Sequence, residues 1–159
     1  MTGSDPMADP TIAAARELFE EAVAEMRDAV DGLPPEALAW RPPAEDSNTL
    51  TILATHAMHS SRWWLTIARG APLPDRDRPS EFVAESGSVE EILTFMEAMA
   101  EDCRARLDPG EAFDAGAERT VPDDEPVSAA WALFHALEHL REHVAQAQLT
   151  RQLWLASRS

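Results

Sequence analysis

Three of the five histidines of this 159-residue chain lie in the segment "HALEHLREHVAQ", residues 135–146. They are His135, His139 and His143, and side chains four residues apart share one face of an α-helix. His139 and His143 can therefore direct ring nitrogens at one metal ion, which zinc binds at about 2.0–2.1 Å. The outer two lie about 12 Å apart at roughly 1.5 Å per residue, so a single ion does not reach all three.

A metal site built on this pair needs a third ligand from another element. The remaining histidines, His56 and His59, lie in "TILATHAMHSSRWW" near an apolar stripe, and spacing does not decide between them. A lone inward histidine is usually a core residue hydrogen-bonded to a carbonyl group or water. That interpretation applies to His59 or His135 alone, whereas clustering with the pair favours a metal site. Gln146, one turn past His143, is a candidate to hydrogen-bond a ligand, as are His59 and His135.

Two other metal chemistries fit the sequence less well. "HLREH" has the H-x-x-E-H spacing of inverzincin proteases, which take an acidic third ligand further along the chain. Residues 144–159 contain no Asp or Glu, which disfavours that interpretation. A di-iron carboxylate bundle needs Glu three residues before a His, and no histidine of this chain has one.

Four segments with helical periodicity position these side chains. They run from about Pro10 to Asp31, from "SNTL" to Gly70, from "SVEE" to Leu107, and from about Val127 to Ala156. Ser88 and Glu91 of "SVEE" form a capping-box pattern, and no stretch shows the alternation of a strand. The pattern predicts an all-α protein, most simply a four-helix bundle.

The connections between these segments are rich in proline and polar residues. "LPPEALAWRPP" predicts a compact connector with a single helical turn, whose Trp40 folds onto the helices. Residues 70–87 and 108–126 predict two loops, the second of them acidic. Residues 1–9 are expected to be a frayed lead-in and residues 10–159 one domain.

Composition limits the classes of partner. A net charge of −16 and a pI near 4.5 oppose binding to nucleic acid and to anionic membranes. No apolar run approaches the roughly 20 residues of a bilayer span, and the N-terminal residues do not resemble a secretory signal. The single cysteine, Cys103, excludes an internal disulfide, predicts a cytoplasmic protein and is expected to be a buried small hydrophobe.

Three blocks of the sequence carry a family resemblance. The first is "LPPEALAWRPPAEDSNTL", a connector that runs into a helix start; the second is "TILATHAMHSSRWW", with a His after a short apolar run. The third, "VSAAWALFHALEHLREHVAQAQLTRQLW", contains an H-x-x-x-H pair followed by Gln146 and Arg151. In their order and spacing, over most of the chain, these blocks resemble the DinB/YfiT-like superfamily of small helical metalloenzymes.

The resemblance implies a four-helix bundle with up-down-down-up topology and a metal triad of one His from helix two and two ligands from helix four. Carried over to this chain, the triad is His56, His139 and His143. The related mycothiol-dependent maleylpyruvate isomerases often have Glu where this chain has His139, and many relatives have Gly where it has Ala145. His135 resembles a histidine that is not assigned as a ligand in relatives.

The function expected from these features is that of a metal-dependent enzyme acting on a small electrophilic molecule. Imidazole ligands suit zinc or nickel, and characterised members of the resembled family use a low-molecular-weight thiol as cosubstrate in S-transfer or isomerisation. Hydrolysis is the other reaction that an open metal position allows. The alternative is a non-catalytic metal-binding bundle, such as a homodimer that uses apolar Trp and Leu residues as its interface.

Arg62, Trp63 and Trp131 are candidate residues of a substrate pocket. A surface position is the simpler expectation for Arg62. Core packing is the simpler expectation for the two tryptophans. No inward carboxylate stands out in the sequence as a general base.

Overall fold

The computed structural model describes residues 8–159, and within them four long helices dominate. The long helices are α1 (Pro10–Val30), α3 (Leu50–Arg69), α5 (Val89–Arg106) and α6 (Ala129–Ala156). Two single-turn helices, α2 (Pro35–Leu38) and α4 (Arg78–Glu81), lie between them. Two short strands, β1 (Glu118–Arg119) and β2 (Val127–Ser128), pair in antiparallel fashion. The expectation of a mainly helical protein is confirmed.

The long helices begin at side chains that satisfy free backbone N–H groups. Asp9 accepts hydrogen bonds from the first turn of α1, Thr49 from α3, Ser88 from α5 and Ser128 from α6. Gly70 ends α3 with a φ of 64°, a left-handed conformation that glycine adopts without steric cost. Local sequence therefore determines these boundaries.

Packing of α3 is central to the fold. This helix contacts both α6 and α5, and α1 contacts the same two helices from another side. The core between them is apolar, and its largest fully buried side chains include Phe19, Met26, Leu65 and Met96. The pairing of α3 with α6 matters most here, because these two helices carry all five histidines. The up-down-down-up connectivity stays a prediction.

The expectation that the chain contains no strand is wrong for β1 and β2. Residues 127–128 belong to β2, so α6 begins at Ala129, two residues later than predicted. Residues just before β1 also bind the start of α6. The backbone carbonyl groups of Ala117 and Ala115 accept hydrogen bonds from the N–H groups of Ala129 and Ala130. These bonds satisfy the first turn of α6, which explains why a short ladder forms there.

The other connections agree with the sequence in part. The single turn predicted in "LPPEALAWRPP" is α2, and Trp40 packs partly buried against the core. The predicted loop at 70–87 contains α4, which was not expected. Of the predicted lead-in, residues 1–7 lie outside the described part of the chain, whereas the backbone N–H of Asp9 donates to the carbonyl of Pro109.

No helix within residues 8–159 is both long and apolar enough to span a bilayer.

Candidate metal centre

Three histidines converge where α3 packs against α6. His56 comes from α3, His139 and His143 come from α6, and one ring nitrogen of each lies within 4.8 Å of the others. The His56 ring lies 5.1 Å from that of His139 and 4.9 Å from that of His143. His56 is only 4% exposed. The structure thus brings together the three residues that the sequence and the resemblance singled out, and this cluster could hold a metal ion.

The His56 ring is held from behind by a buried carboxylate. Its Nδ1 lies 2.7 Å from Oε2 of Glu81, which is 2% exposed. Arg76 donates two hydrogen bonds to the same carboxylate, from Nε to Oε1 at 2.7 Å and from Nη2 to Oε2 at 2.9 Å. Burial opposes ionisation of Glu81, but the hydrogen bonds from Arg76 and His56 outweigh it and lower the pKa of Glu81 to about 2. The ionised carboxylate accepts a hydrogen bond from the Nδ1–H group of His56, which leaves the lone pair of the ring on Nε2.

The ring of His143 is oriented in the same way by an amide. Its Nδ1 lies 2.8 Å from Oε1 of Gln146, and the amide nitrogen of Gln146 points to Glu142 at 3.4 Å. This arrangement assigns the proton to Nδ1 of His143 and the lone pair to Nε2. Burial lowers the pKa of His143, so the ring is favoured in its neutral form.

His139 is the third histidine of the cluster, and it differs from the other two in the surroundings of its Nδ1. Among residues 8–159, no group hydrogen-bonds its buried Nδ1. Burial, followed by the nearby rings of His143 and His56, lowers the pKa of His139 to about 3. Its Nε2 lies 3.3 Å from Nε2 of His143, a separation at which two nitrogen lone pairs need a proton or a cation between them. Neutral, convergent imidazoles therefore fit a divalent transition metal.

The other two histidines lie outside this cluster. His135 stacks on Trp131 at 4.7 Å and meets Trp64 edge-on at 4.6 Å, while its ring lies 5.7 Å from that of His139. His59 packs against Phe95 at 5.4 Å. A supporting role for His59 and His135 in metal binding stays a prediction, whereas Gln146 contacts His143 directly.

The residues considered for a substrate pocket have other surroundings. Arg62 pairs with Asp102 of α5 at 3.3 Å, and the ring of Trp63 lies under the Arg76 guanidinium at 5.8 Å. The expectation of core packing is wrong for Trp131, which is 48% exposed. It lies in the first turn of α6, where stacking on His135 covers one face of its ring.

A pocket of about 390 Å³ adjoins the cluster at His143. Its apolar wall contains Leu53, Leu149 and Leu153, and its polar residues include Gln146 together with residues 45–48. A larger surface depression of about 660 Å³ between α1 and α5 contains no histidine. Of these two cavities, the one beside His143 is lined by a residue of the histidine cluster.

Cys103 takes no part in the cluster and is fully buried on α5, as expected. Burial raises the pKa of its thiol to about 12, and only the thiolate is nucleophilic. We expect the folded protein at pH 8 to leave an aromatic disulfide reagent unreacted, and the denatured protein to consume one equivalent. The absorbance of the released thiol measures both. Fast reaction of the folded chain would show that Cys103 is accessible.

Sequence reasoning missed Glu81 and Arg76. Both lie in the segment interpreted as a polar loop, although Asp77 before a proline at the first turn is a recognisable helix start. That signal predicts α4 but not the burial of its carboxylate. The chain has 29 acidic residues, and nothing local distinguishes the one that turns inward.

Comparison with known proteins identifies the family of this chain. The model of the DinB superfamily matches residues 8–147. A conserved protein from Enterococcus faecalis is similar in structure, with a TM-score of 0.73 and 15% identity over 93% of this chain and 98% of that one. At that identity the similarity concerns the fold alone. No curated protein matches the chain. The family match covers most of the sequence, and the chain belongs to the DinB superfamily.

Proposed function

We propose that this protein is a metal-dependent enzyme whose ion is bound by His56, His139 and His143. The observation that carries the proposal is the convergence of three ring nitrogens within 4.8 Å from two helices. Two of the rings are fixed by hydrogen bonds that leave Nε2 free, to Glu81 and to Gln146. In keeping with the family, we infer that the four long helices form an up-down-down-up bundle around this site.

The ligand set indicates which chemistry is open to the protein. Three neutral nitrogen donors suit zinc or nickel and leave a position at which the ion would lower the pKa of a bound water or thiol. Glu81 does not act as a general base, because Arg76 and His56 occupy its oxygens and its pKa is about 2. It holds the ring of His56 instead. We infer a reaction in which a low-molecular-weight thiol, or water, attacks a small electrophile.

The pocket at His143 indicates the kind of electrophile. Leu53, Leu149 and Leu153 offer an apolar wall. Among the described residues that line the pocket, Glu45 and Asp46 are acidic and none is Arg or Lys. A divalent ion bound at His143 would offset the charge of these two carboxylates. We infer a substrate with an apolar group, because the leucine side chains form one wall of the pocket.

The test measures metal content and thiol transfer together. Protein purified without chelator should contain about one zinc or nickel ion per chain by elemental analysis. With monobromobimane as electrophile, conjugation of glutathione, bacillithiol or mycothiol should exceed the spontaneous rate and return to it after chelation. Bound metal with no acceleration of conjugation or hydrolysis would contradict the enzyme and favour the non-catalytic bundle.

Filling the pocket should impair turnover without removing metal. Leu153→Trp is expected to lower kcat/KM on the order of tenfold, because a bulky ring occupies space meant for the substrate. Leu155→Trp is the matched control: Leu155 is similarly exposed, at 46% against 43%, and does not line the pocket. Steady-state kinetics and elemental analysis of both variants decide the matter. Equal losses of activity would show that the pocket does not bind substrate.

A further inference from the structure

The connector between α3 and α5, residues 71–87, reaches into the candidate metal centre. Its single-turn helix α4 ends with Glu81, whose side chain is 2% exposed and hydrogen-bonded to His56. The side chain of Arg76 is 10% exposed and lies in the same buried network. A charged pair at this depth must form its hydrogen bonds to be tolerated, and this one forms three of them.

Aromatic contacts seat the same connector on the helices. The ring of Phe82 lies 4.7 Å from that of His56, and the Arg78 guanidinium lies 5.3 Å from the centre of the Phe82 ring. Arg76 lies over Trp63 of α3 in the same manner. The connector thus touches His56 through a carboxylate and through a ring, and it contributes no ligand of its own to the cluster.

We propose that this connector is a metal-coupled clamp, in which Glu81 is the positioning residue for His56 and Arg76 holds Glu81 in place. Ion binding at the three histidines and seating of the connector then reinforce each other. The inference rests on the proposed metal site and adds a regulation to it: the affinity of the site depends on a segment outside the four long helices.

The carboxylate acts on the ion through the imidazole ring. By accepting a hydrogen bond from Nδ1–H, Glu81 selects the tautomer with its lone pair on Nε2 and raises the basicity of that nitrogen. Without this partner, a histidine ring is free to rotate and to place its proton on Nε2. Removal of such a partner typically lowers metal affinity by about 10–100-fold.

The coupling must be reciprocal. If seating of Glu81 strengthens metal binding by some factor, metal binding shifts the connector toward its seated state by the same factor. The backbone amides of residues 76–82 should therefore exchange with solvent more slowly when Zn²⁺ is bound. The size of that protection should match the loss of affinity on removing Glu81.

The clamp is tested by measuring the Zn²⁺ affinity of full-length variants in competition with a chromophoric chelator. Glu81→Ala should bind Zn²⁺ about 10–100-fold more weakly and Glu81→Gln less severely so. Glu85→Gln is the matched control, since Glu85 is an exposed carboxylate of the same connector and should leave the affinity unchanged. Unchanged affinity in Glu81→Ala would overturn the clamp while leaving the metal site intact.

Measurements on metal-free protein distinguish the positioning role of Glu81 from a purely structural one. The ¹⁵N NMR signals of His56 should show the Nδ1–H tautomer in the unsubstituted chain and a mixture with the Nε2–H tautomer in Glu81→Met, whose side chain is of similar size but offers no oxygen to Nδ1. Glu81→Gln should keep the Nδ1–H tautomer, because its amide oxygen can accept from Nδ1 as that of Gln146 does for His143. A purely stabilising carboxylate would lower the melting temperature without changing the tautomer. An Nε2–H tautomer in the unsubstituted chain would overturn the proposal.

Hydrogen exchange of the unsubstituted chain with and without Zn²⁺ completes the test. Slower exchange at residues 76–82 in the unsubstituted chain, lost in Glu81→Met, is the expected result. Equal exchange in both states would contradict the coupling even if the ion binds. Failure to bind Zn²⁺ at all would overturn the proposed function itself, so the two failures are distinguishable.

Discussion

Replacing His139 by alanine is expected to lower the affinity of the protein for Zn²⁺ by roughly a hundredfold or more. Zinc sites with four protein ligands bind with apparent free energies of about 10–16 kcal/mol, so each ligand accounts for about 3 kcal/mol. We expect the largest loss of metal affinity at His139, because its buried ring is neutral and its Nε2 lies 3.3 Å from that of His143. His56→Ala and His143→Ala should behave alike, as measured by elemental analysis and chelator competition.

Two histidines outside the cluster serve as matched controls for this series. His59 lies on the same helix as His56, and His135 on the same helix as the other two ligands. Alanine at either position should keep one ion per chain, with a loss of affinity below about tenfold. Wild-type metal content in both His56→Ala and His139→Ala would show that the ligand assignment is wrong.

Phe19→Ala is expected to cause the largest loss of stability, about 3–5 kcal/mol in the free energy of unfolding. Phe19 is fully buried on α1, and its truncation leaves a cavity that the close-packed core fills only in part. Leu18 precedes it in sequence but is 49% exposed. Leu18→Ala should change stability by less than about 0.5 kcal/mol. Urea denaturation followed by circular dichroism measures both.

Measuring metal affinity in the same two variants distinguishes an effect on stability from an effect on the metal site. Helix α1 contributes none of the three histidines, so Phe19→Ala should keep the metal affinity of its folded fraction. A large loss of affinity without a loss of stability would contradict the described packing, in which α1 supports α5 and α6 from outside the site.

Features that depend on neighbouring residues were predictable. The caps at Thr49, within the predicted start "SNTL", and at Ser88 satisfy backbone groups three residues away, so both starts could be predicted. The cap at Ser128 was missed, because the sequence placed the start of the last helix near Val127. The capping box at Ser88 is an instructive exception. The carboxylate of Glu91 bonds the N–H of Gly87 at 2.8 Å, and the reciprocal bond to Ser88 is absent among the bonds that the structure describes.

Features that depend on contacts between distant segments were not predictable. Spacing alone left His56 and His59 equivalent, and only the resemblance favoured His56. The structure turns His56 toward α6 and Glu81, whereas His59 packs against Phe95 of α5. The two positions differ by three residues, or about 60° around a helix, which is enough to change the neighbouring helix.

The four long helices and the i,i+4 pair on α6 could be predicted from the sequence, because they follow from hydrogen bonds and side-chain spacing within a few residues. That α3 brings His56 to this pair, and that the connector buries Glu81 beside His56, depends on contacts between distant segments and is seen only in the folded chain. A buried carboxylate is tolerated when a cation and a ring hydrogen-bond it, and Arg76 and His56 do so at Glu81, in a connector whose composition alone predicts exposure.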